Sequence, residues 1–200
     1  MTVDEDAVRD EDFRDAVLAR QEWTGRSFAN CDFTDADMSG MRIRNCVFDE
    51  CTFDRADFGD SELRASAFRS CHFDRAVFGT STWDSCSLLG SGFVDCRLRS
   101  CALRETDLTL VGMGGADLRG QDLRGIRFRE ANLAEADFRR CDLREADLTG
   151  ARLLRARLEE ADLRDARLDA GGLVGAVLRG ARVDMSTALA FAAAQGLRID

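Results

Sequence analysis

"CDLREADLTGARLLRARLEEADL", residues 141–163, returns a leucine at every fifth position. An α-helix repeats every 3.6 residues or so and a flat strand about every 2, so neither asks for that spacing. The period extends far beyond this stretch. Stepping by five from Trp23 meets Phe28, Phe33, Met38, Ile43, Phe48, Phe53 and Phe58, and continues through Trp83, Leu103, Leu123 and Leu143 to Val183. Every stop is apolar, with no insertion or deletion. Two positions earlier the residue is small (Ala36, Cys46, Ser61, Ala76, Ala136, Ala161), with Arg26, Met41, Val111, Gln121 and Ile126 as exceptions. The other positions carry Asp, Arg, Glu, Thr, Ser and Gly.

A chain can satisfy this pattern by winding. Over three extended residues the side chains point in, out and in, so one small and one large residue share an interior. Two further residues turn a corner, and the next five build the next side. Successive coils then hydrogen-bond about 4.8 Å apart, and small residues are required because a narrow tube has little room inside. Glycines at 40, 90, 120, 150 and 180 fall in corner positions, where positive φ is expected. The pattern predicts an all-β solenoid, packed throughout and without a cavity.

The same phase explains the cysteines. Cys31, Cys46, Cys51, Cys71, Cys86, Cys96, Cys101 and Cys141 all occupy the small inward position. They read as small core residues, not as a disulfide framework or a tetrahedral zinc site. The only histidine, His72, falls in an outward position without companions. No phosphate loop, dinucleotide fingerprint or zinc-protease motif is present, and no metal or cofactor is expected. A packed convex tube offers no pocket for catalysis, so the chain is not expected to be an enzyme.

Of the 200 residues, 37 are acidic and 28 basic, giving a net charge of −9, and every basic residue is arginine. Such a balance disfavours direct nucleic-acid binding, which needs a cationic surplus. No stretch approaches a membrane span, and the acidic start "MTVDEDAVRDED" is unlike a signal peptide, so a cytoplasmic location is expected. Residues 1–22 carry eight acids against three arginines. Val3, Val8, Phe13 and Leu18 keep the phase there, but Asp6 and Glu11 would face inward, at a cost if buried. A short helix or mobile acidic arm is therefore expected over 1–22, with the repeat over 23–185.

From 186 the period stops. "DMSTALAFAAAQGLRID" predicts a helix capped at Ser186 or Thr187 and ended by Gly196. This helix is apolar almost all round, so it either caps its own coil alone or also meets a second copy. With twenty residues per coil, Asp122, Asp142 and Asp162 form one column, with Glu105, Glu145 and Asp165 on the same face. Arg104, Arg124, Arg144 and Arg164 run between them. Two readings stay open: an acidic binding surface, or a ladder that neutralises itself through exposed ion pairs. Another face gathers Arg97, Arg99, Arg119, Arg139, Arg140 and Arg179.

"EADLTGARL", "GADLRGQDL" and "EANLAEADF" resemble the pentapeptide repeat family. "SAFRSCHF", "CSLLGSGFVDCRLR", "DLTLVGMGGADLRG" and "LVGAVLRGARVDMSTALAFAAAQGL" are similar to its fluoroquinolone-resistance members in particular. The resemblance implies a right-handed quadrilateral β-helix of about eight coils, dimeric through its C-terminal segment. It further implies a DNA mimic that binds DNA gyrase and protects it from quinolones or modulates it. On that basis Leu189, Phe191, Leu197 and Ile199 fall in the dimer interface, and Asp122, Asp142, Glu145, Asp162 and Asp165 are the candidate gyrase-facing acids. The alternatives are a general protein-interaction scaffold and a self-immunity factor against a gyrase-targeting toxin.

Overall fold

A computed structural model of the chain describes residues 7–198. Every twenty residues the backbone returns to the same face and pairs in parallel with itself. Glu22–Thr24, Arg42–Arg44, Glu62–Arg64, Thr82–Asp84 and Ala102–Arg104 make one five-stranded face. Val8–Arg9, Ser27–Ala29, Val47–Asp49 and Ala67–Arg69 make the next. His72–Asp74 and Gly92–Val94 lie on a third face, and single bridges such as Val17 to Asp37 to Asp57 hold the fourth. The result is a four-sided parallel β-solenoid of about 8 turns with one short C-terminal helix.

The large residue of each pentapeptide points into the tube and stacks on its counterpart one coil away. Phe28, Phe48 and Phe68 stack with centroids 5.0 and 4.6 Å apart, and Phe33, Phe53, Phe73 and Phe93 at 4.9, 5.1 and 4.7 Å. These distances follow the strand spacing, so side-chain stacking and backbone pairing share one register. All eight cysteines are free thiols in the small inward positions; seven are buried and Cys96 is half-buried. Burial pushes the thiols of Cys86 and Cys141 up to about 11, and those of Cys96 and Cys101 to about 12.

The corner glycines at 40, 90, 120, 150 and 180 have positive φ as expected, and so do most corners without glycine. The last residue of most pentapeptides has positive φ whatever its identity: Asp15 (55°), Ala65 (47°), Arg155 (58°) and Glu145 (61°) as much as Gly120 (71°). Left-handed backbone costs an L-residue about 1–2 kcal/mol. The inter-coil ladder fixes that conformation all the same.

Residues 7–22 are neither helix nor free arm but a further coil. Val8–Arg9 pairs with Phe28 and Ala29, Asp12 bridges Asp32, and the Phe13 ring lies on Phe33 at 4.7 Å and 3°. The expected penalty at Glu11 does not arise, because no described coil covers this end and Glu11 stays exposed. Asp6 and the rest of 1–6 lie outside the described residues.

The tube is not closed everywhere. In a regular junction the N–H groups of Leu118, Gly120, Leu123 and Gly125 donate to Asp137, Arg139, Asp142 and Arg144 at 2.8–3.0 Å. One coil earlier, among the described residues, the N–H groups of Leu98, Ser100, Leu103 and Glu105 find no such acceptors, and those of Asp117 and Asp122 find none in return. Two adjacent sides of one junction are therefore unpaired. A cleft of about 700 Å³ opens there, lined by Arg99, Arg104, Glu105, Asp122, Arg124 and Glu145, contrary to the expectation of a convex tube.

At the far end the backbone makes a 3-10 turn at Ala170–Leu173, against which the helix Met185–Ala194 packs. The helix starts ahead of the predicted caps, at Asp184, whose carboxylate instead accepts the Asp165 N–H at 2.6 Å. Gly196 (φ 85°) ends it as expected: its N–H reaches the Ala193 carbonyl and the next N–H, of Leu197, the Ala192 carbonyl.

If the ladder imposes the corner backbone, then Ala65→Gly should raise the unfolding free energy by about 0.5–1 kcal/mol and Gly125→Val should lower it by about 1–2 kcal/mol. Urea denaturation measures both, and Gly125 (φ 66°) has open space where a Cβ would go, which isolates the backbone effect.

Candidate functional site

The outward faces are built by one local device. The aspartate preceding the large residue turns its carboxylate onto the N–H two residues on, bridging the corner. Asp32 accepts from Thr34 at 2.9 Å, Asp37 from Ser39 at 3.0 Å, Asp107 from Thr109 at 3.0 Å and Asp147 from Thr149 at 3.1 Å. This explains why Asp or Asn recurs at that place in the repeat. The sequence reading took these aspartates as surface charge and missed their role in the turn.

Where arginine follows two residues later, the pair becomes bidentate. Arg124 Nε donates to Asp122 Oδ1 at 2.8 Å, and a terminal nitrogen to Oδ2 at 2.6 Å. Arg144 with Asp142 and Arg164 with Asp162 repeat the same distances one and two coils on. The predicted columns do stack, since Asp122, Asp142 and Asp162 bridge in sequence to Arg182. Weaker links cross the coils, Arg124 to Asp142 at 3.7 Å and Arg182 to Asp162 at 3.8 Å. The Arg164 hydrogen bonds hold the Asp162 carboxyl down at about 2, and Arg124 and Arg144 lower Asp122 and Asp142 in the same way.

Three of the five candidate acids are thus engaged by their own arginines. The other two differ. Glu145 and Asp165 sit at left-handed corners, exposed, with no ion-pair partner among the described residues. Glu50 and Glu130, exposed at left-handed corners, share that freedom elsewhere on the rod. The charge available to a partner lies at corners and edges more than in the aspartate column.

The arginine-rich corner is also real. Arg99, Arg119, Arg139, Arg140 and Arg179 line a groove of about 680 Å³ with Glu159 and Glu160. Arg119 and Arg139 are held by Asp117 and Asp137, and Arg140 pairs with Glu160 at 2.9 Å, which reduces the cationic surplus. His72 lies exposed on its strand, as expected.

At the C-terminal end, Phe191 packs against the solenoid core, while Leu189 and Leu197 remain 44% and 63% exposed. Met185, Val174, Val177 and Leu154 are also exposed. Ile199 lies outside the described residues.

A pentapeptide repeat model matches residues 113–150 and 141–180, and a pentapeptide repeat region model matches 21–92. Pentapeptide repeat protein MfpA of Mycobacterium tuberculosis is 48% identical over 99 residues, 50% of this chain and 54% of that protein. The chain therefore spans about half the length of the curated relative it matches. Among solved structures, a trypsin-treated variant of QnrB1, a plasmid-mediated fluoroquinolone resistance protein, superimposes with a TM-score of 0.81 at 21% identity, covering 97% of this chain and 98% of that one. Full-length QnrB1 gives 0.73 at 19% identity, over 96% and 97%. At these identities the likeness speaks to the fold.

The aspartate turn sets a pH dependence. Asp162 titrates below its unfolded value of 3.8, so its contribution is complete above about pH 4 and is lost as pH falls through about 2. Denaturation midpoints should be flat from neutral pH down to that window, and Arg164→Gln should raise the Asp162 titration seen by carboxyl NMR. Asp142→Ala should cost about 1 kcal/mol, the value of a lost turn hydrogen bond, in the same denaturation assay.

Proposed function

Because the chain belongs to the pentapeptide repeat family, we propose that it is a non-catalytic rod that binds DNA gyrase in the manner of duplex DNA, modulating the enzyme or shielding it from fluoroquinolones. The observation that carries this reading is a four-sided rod whose coils keep one phase, with no loop projecting from it among the described residues, and whose outward acids at 122, 142 and 162 recur once per coil. The sequence relationship to MfpA and the whole-length likeness to QnrB1 support it. Among the described residues no helix is long and apolar enough to cross a membrane, in keeping with a place beside gyrase in the cytoplasm.

Net charge alone does not make the likeness to DNA. B-DNA carries one charge per about 1.7 Å of axis. Eight coils at about 4.8 Å span roughly 40 Å, over which a net −9 is less than half as dense. With Asp122, Asp142 and Asp162 engaged locally, the contacts to a basic gyrase surface fall to the free corner acids, Glu145 and Asp165 first. In this reading two rods join end to end, Leu189 and Leu197 of each covering the apolar patch of the other, with Phe191 supporting them from beneath.

The test is a gyrase supercoiling assay with the purified protein at micromolar concentration. Inhibition of supercoiling, or protection against ciprofloxacin-induced cleavage, is the expected result; neither effect would overturn the proposal. Glu145→Lys with Asp165→Lys should weaken the effect about tenfold, the loss of one good charged contact, with melting unchanged. Leu189→Arg with Leu197→Arg should convert the dimer to monomer in sedimentation.

A further inference from the structure

We propose that the unpaired junction between residues 95–106 and 114–127 is a docking seam for an extended peptide segment, which adds as a strand between two coils. Elsewhere the sides bridge coil by coil until the 3-10 turn at Ala170–Leu173, where Arg152 has no partner in the next coil; here two adjacent sides of one junction do not pair. The gap is bounded on both flanks by intact pairing: Phe93 N–H reaches Gly112 at 2.7 Å, and Arg127 N–H reaches Thr106 at a lengthened 3.4 Å. The cleft continues round the corner, where a further 470 Å³ shares Glu105 and Gly125 with the main opening.

The opening has causes in the sequence. Most corners use a left-handed last residue, but neither Thr80 nor Ser100 does; Gly79 (φ 38°) takes that conformation above, and the corner at Arg99 and Ser100 has none. A β-branched threonine resists positive φ, which accounts for the shifted turn at Gly79 and Thr80; the Ser100 corner one coil below also departs from the turn of Gly120 (φ 71°). In addition, Gln121 stands where the repeat has a small residue. Its side chain spans the seam, Nε2 donating to the Leu98 carbonyl at 2.7 Å.

That glutamine points to the occupant. It is 92% buried on its residue surface, being 8% exposed, yet its Oε1 has no hydrogen-bond partner. A buried carbonyl-type oxygen without a partner is rare and calls for a donor. Both lips offer N–H and C=O groups in alternation at strand spacing, and a polypeptide backbone is the chemistry that answers both at once. Beneath the lips Leu103 is 7% and Phe93 5% exposed, against 0% for Leu123 and Leu143 in closed coils. An inserted strand could therefore place alternate apolar side chains on the core while its other residues meet Arg104 and Glu105 at the rim.

The probe is a phage-displayed random heptapeptide library panned on the intact protein, with amide exchange as the second measurement. In the free protein the amides of Leu98 and Leu103 should exchange at least about a hundredfold faster than those of Leu118 and Leu123. Selected peptides should carry apolar residues at alternate positions and slow exchange at Leu98, Leu103 and Asp122. Methylation of alternate peptide nitrogens should weaken binding at least about tenfold, as should Ser100→Gly with Gln121→Ala, which restores a regular corner and a small inward residue. Equal protection of the two pairs of amides in the free protein would show a closed seam and end the proposal, as would failure to select any peptide. Undiminished binding of the methylated peptides would equally refute strand addition. None of these readouts involves gyrase, so the outcome is independent of the function proposed above.

Discussion

The inter-coil hydrogen bond is the constraint from which the rest of the molecule follows. Phe33 N–H reaches the Thr52 carbonyl, and Asp37 N–H returns to Ala16, each about one coil away in sequence. Once that register is set, every side chain lies above or below its own repeat position. Like must then stack on like: ring on ring inside, thiol or methyl beside it, carboxylate column outside. The strand spacing of about 4.8 Å suits aromatic stacking inside the tube, which is why the Phe28 and Phe33 columns run so long. It suits stacked carboxylates poorly, which is why guanidinium groups are interleaved with them.

The seam lies where this stacking changes character. Above it the interior is filled by Phe73, Phe78, Trp83 and Phe93; below it by Leu118, Leu123 and Leu133, with Phe128 and Phe138 as a single edge-to-face pair 5.9 Å apart. An aromatic coil and an aliphatic coil have different interior volumes, and a ladder joining them must absorb the mismatch somewhere. The irregular corner at Ser100 and the long side chain of Gln121 place that mismatch on two adjacent sides, leaving the other two paired.

Much of this was legible in the period. The fold, the inward cysteines and the stacked columns at 122, 142 and 162 all follow from counting by five, because side-chain direction in a solenoid is a matter of phase. What the count missed is informative in physical terms. Glu11 holds an inward phase yet lies at an end no described coil covers, so phase alone overstated its burial cost. Asp142 is outward by phase, but its carboxylate bonds to the corner N–H of Arg144, a directional contact to which the period is blind. Gln121 stood out as an exception to the small position. Its consequence depended on the turn at Ser100, twenty-one residues earlier in sequence and adjacent in space.

A perfect repeat is fully occupied with folding. Its large residue fills the tube, its small residue makes room, its aspartate caps the corner, and its arginine neutralises that aspartate. The parts left over for recognition are therefore the departures: the corner acids without arginines, the apolar end at Leu189 and Leu197, and the seam beside Gln121. Local rules are broken where something other than stability is served, and each of these places gives up pairing or burial that neighbouring coils retain. On the proposed function, a partner would read the rod at those departures, with the repeat between them setting their spacing.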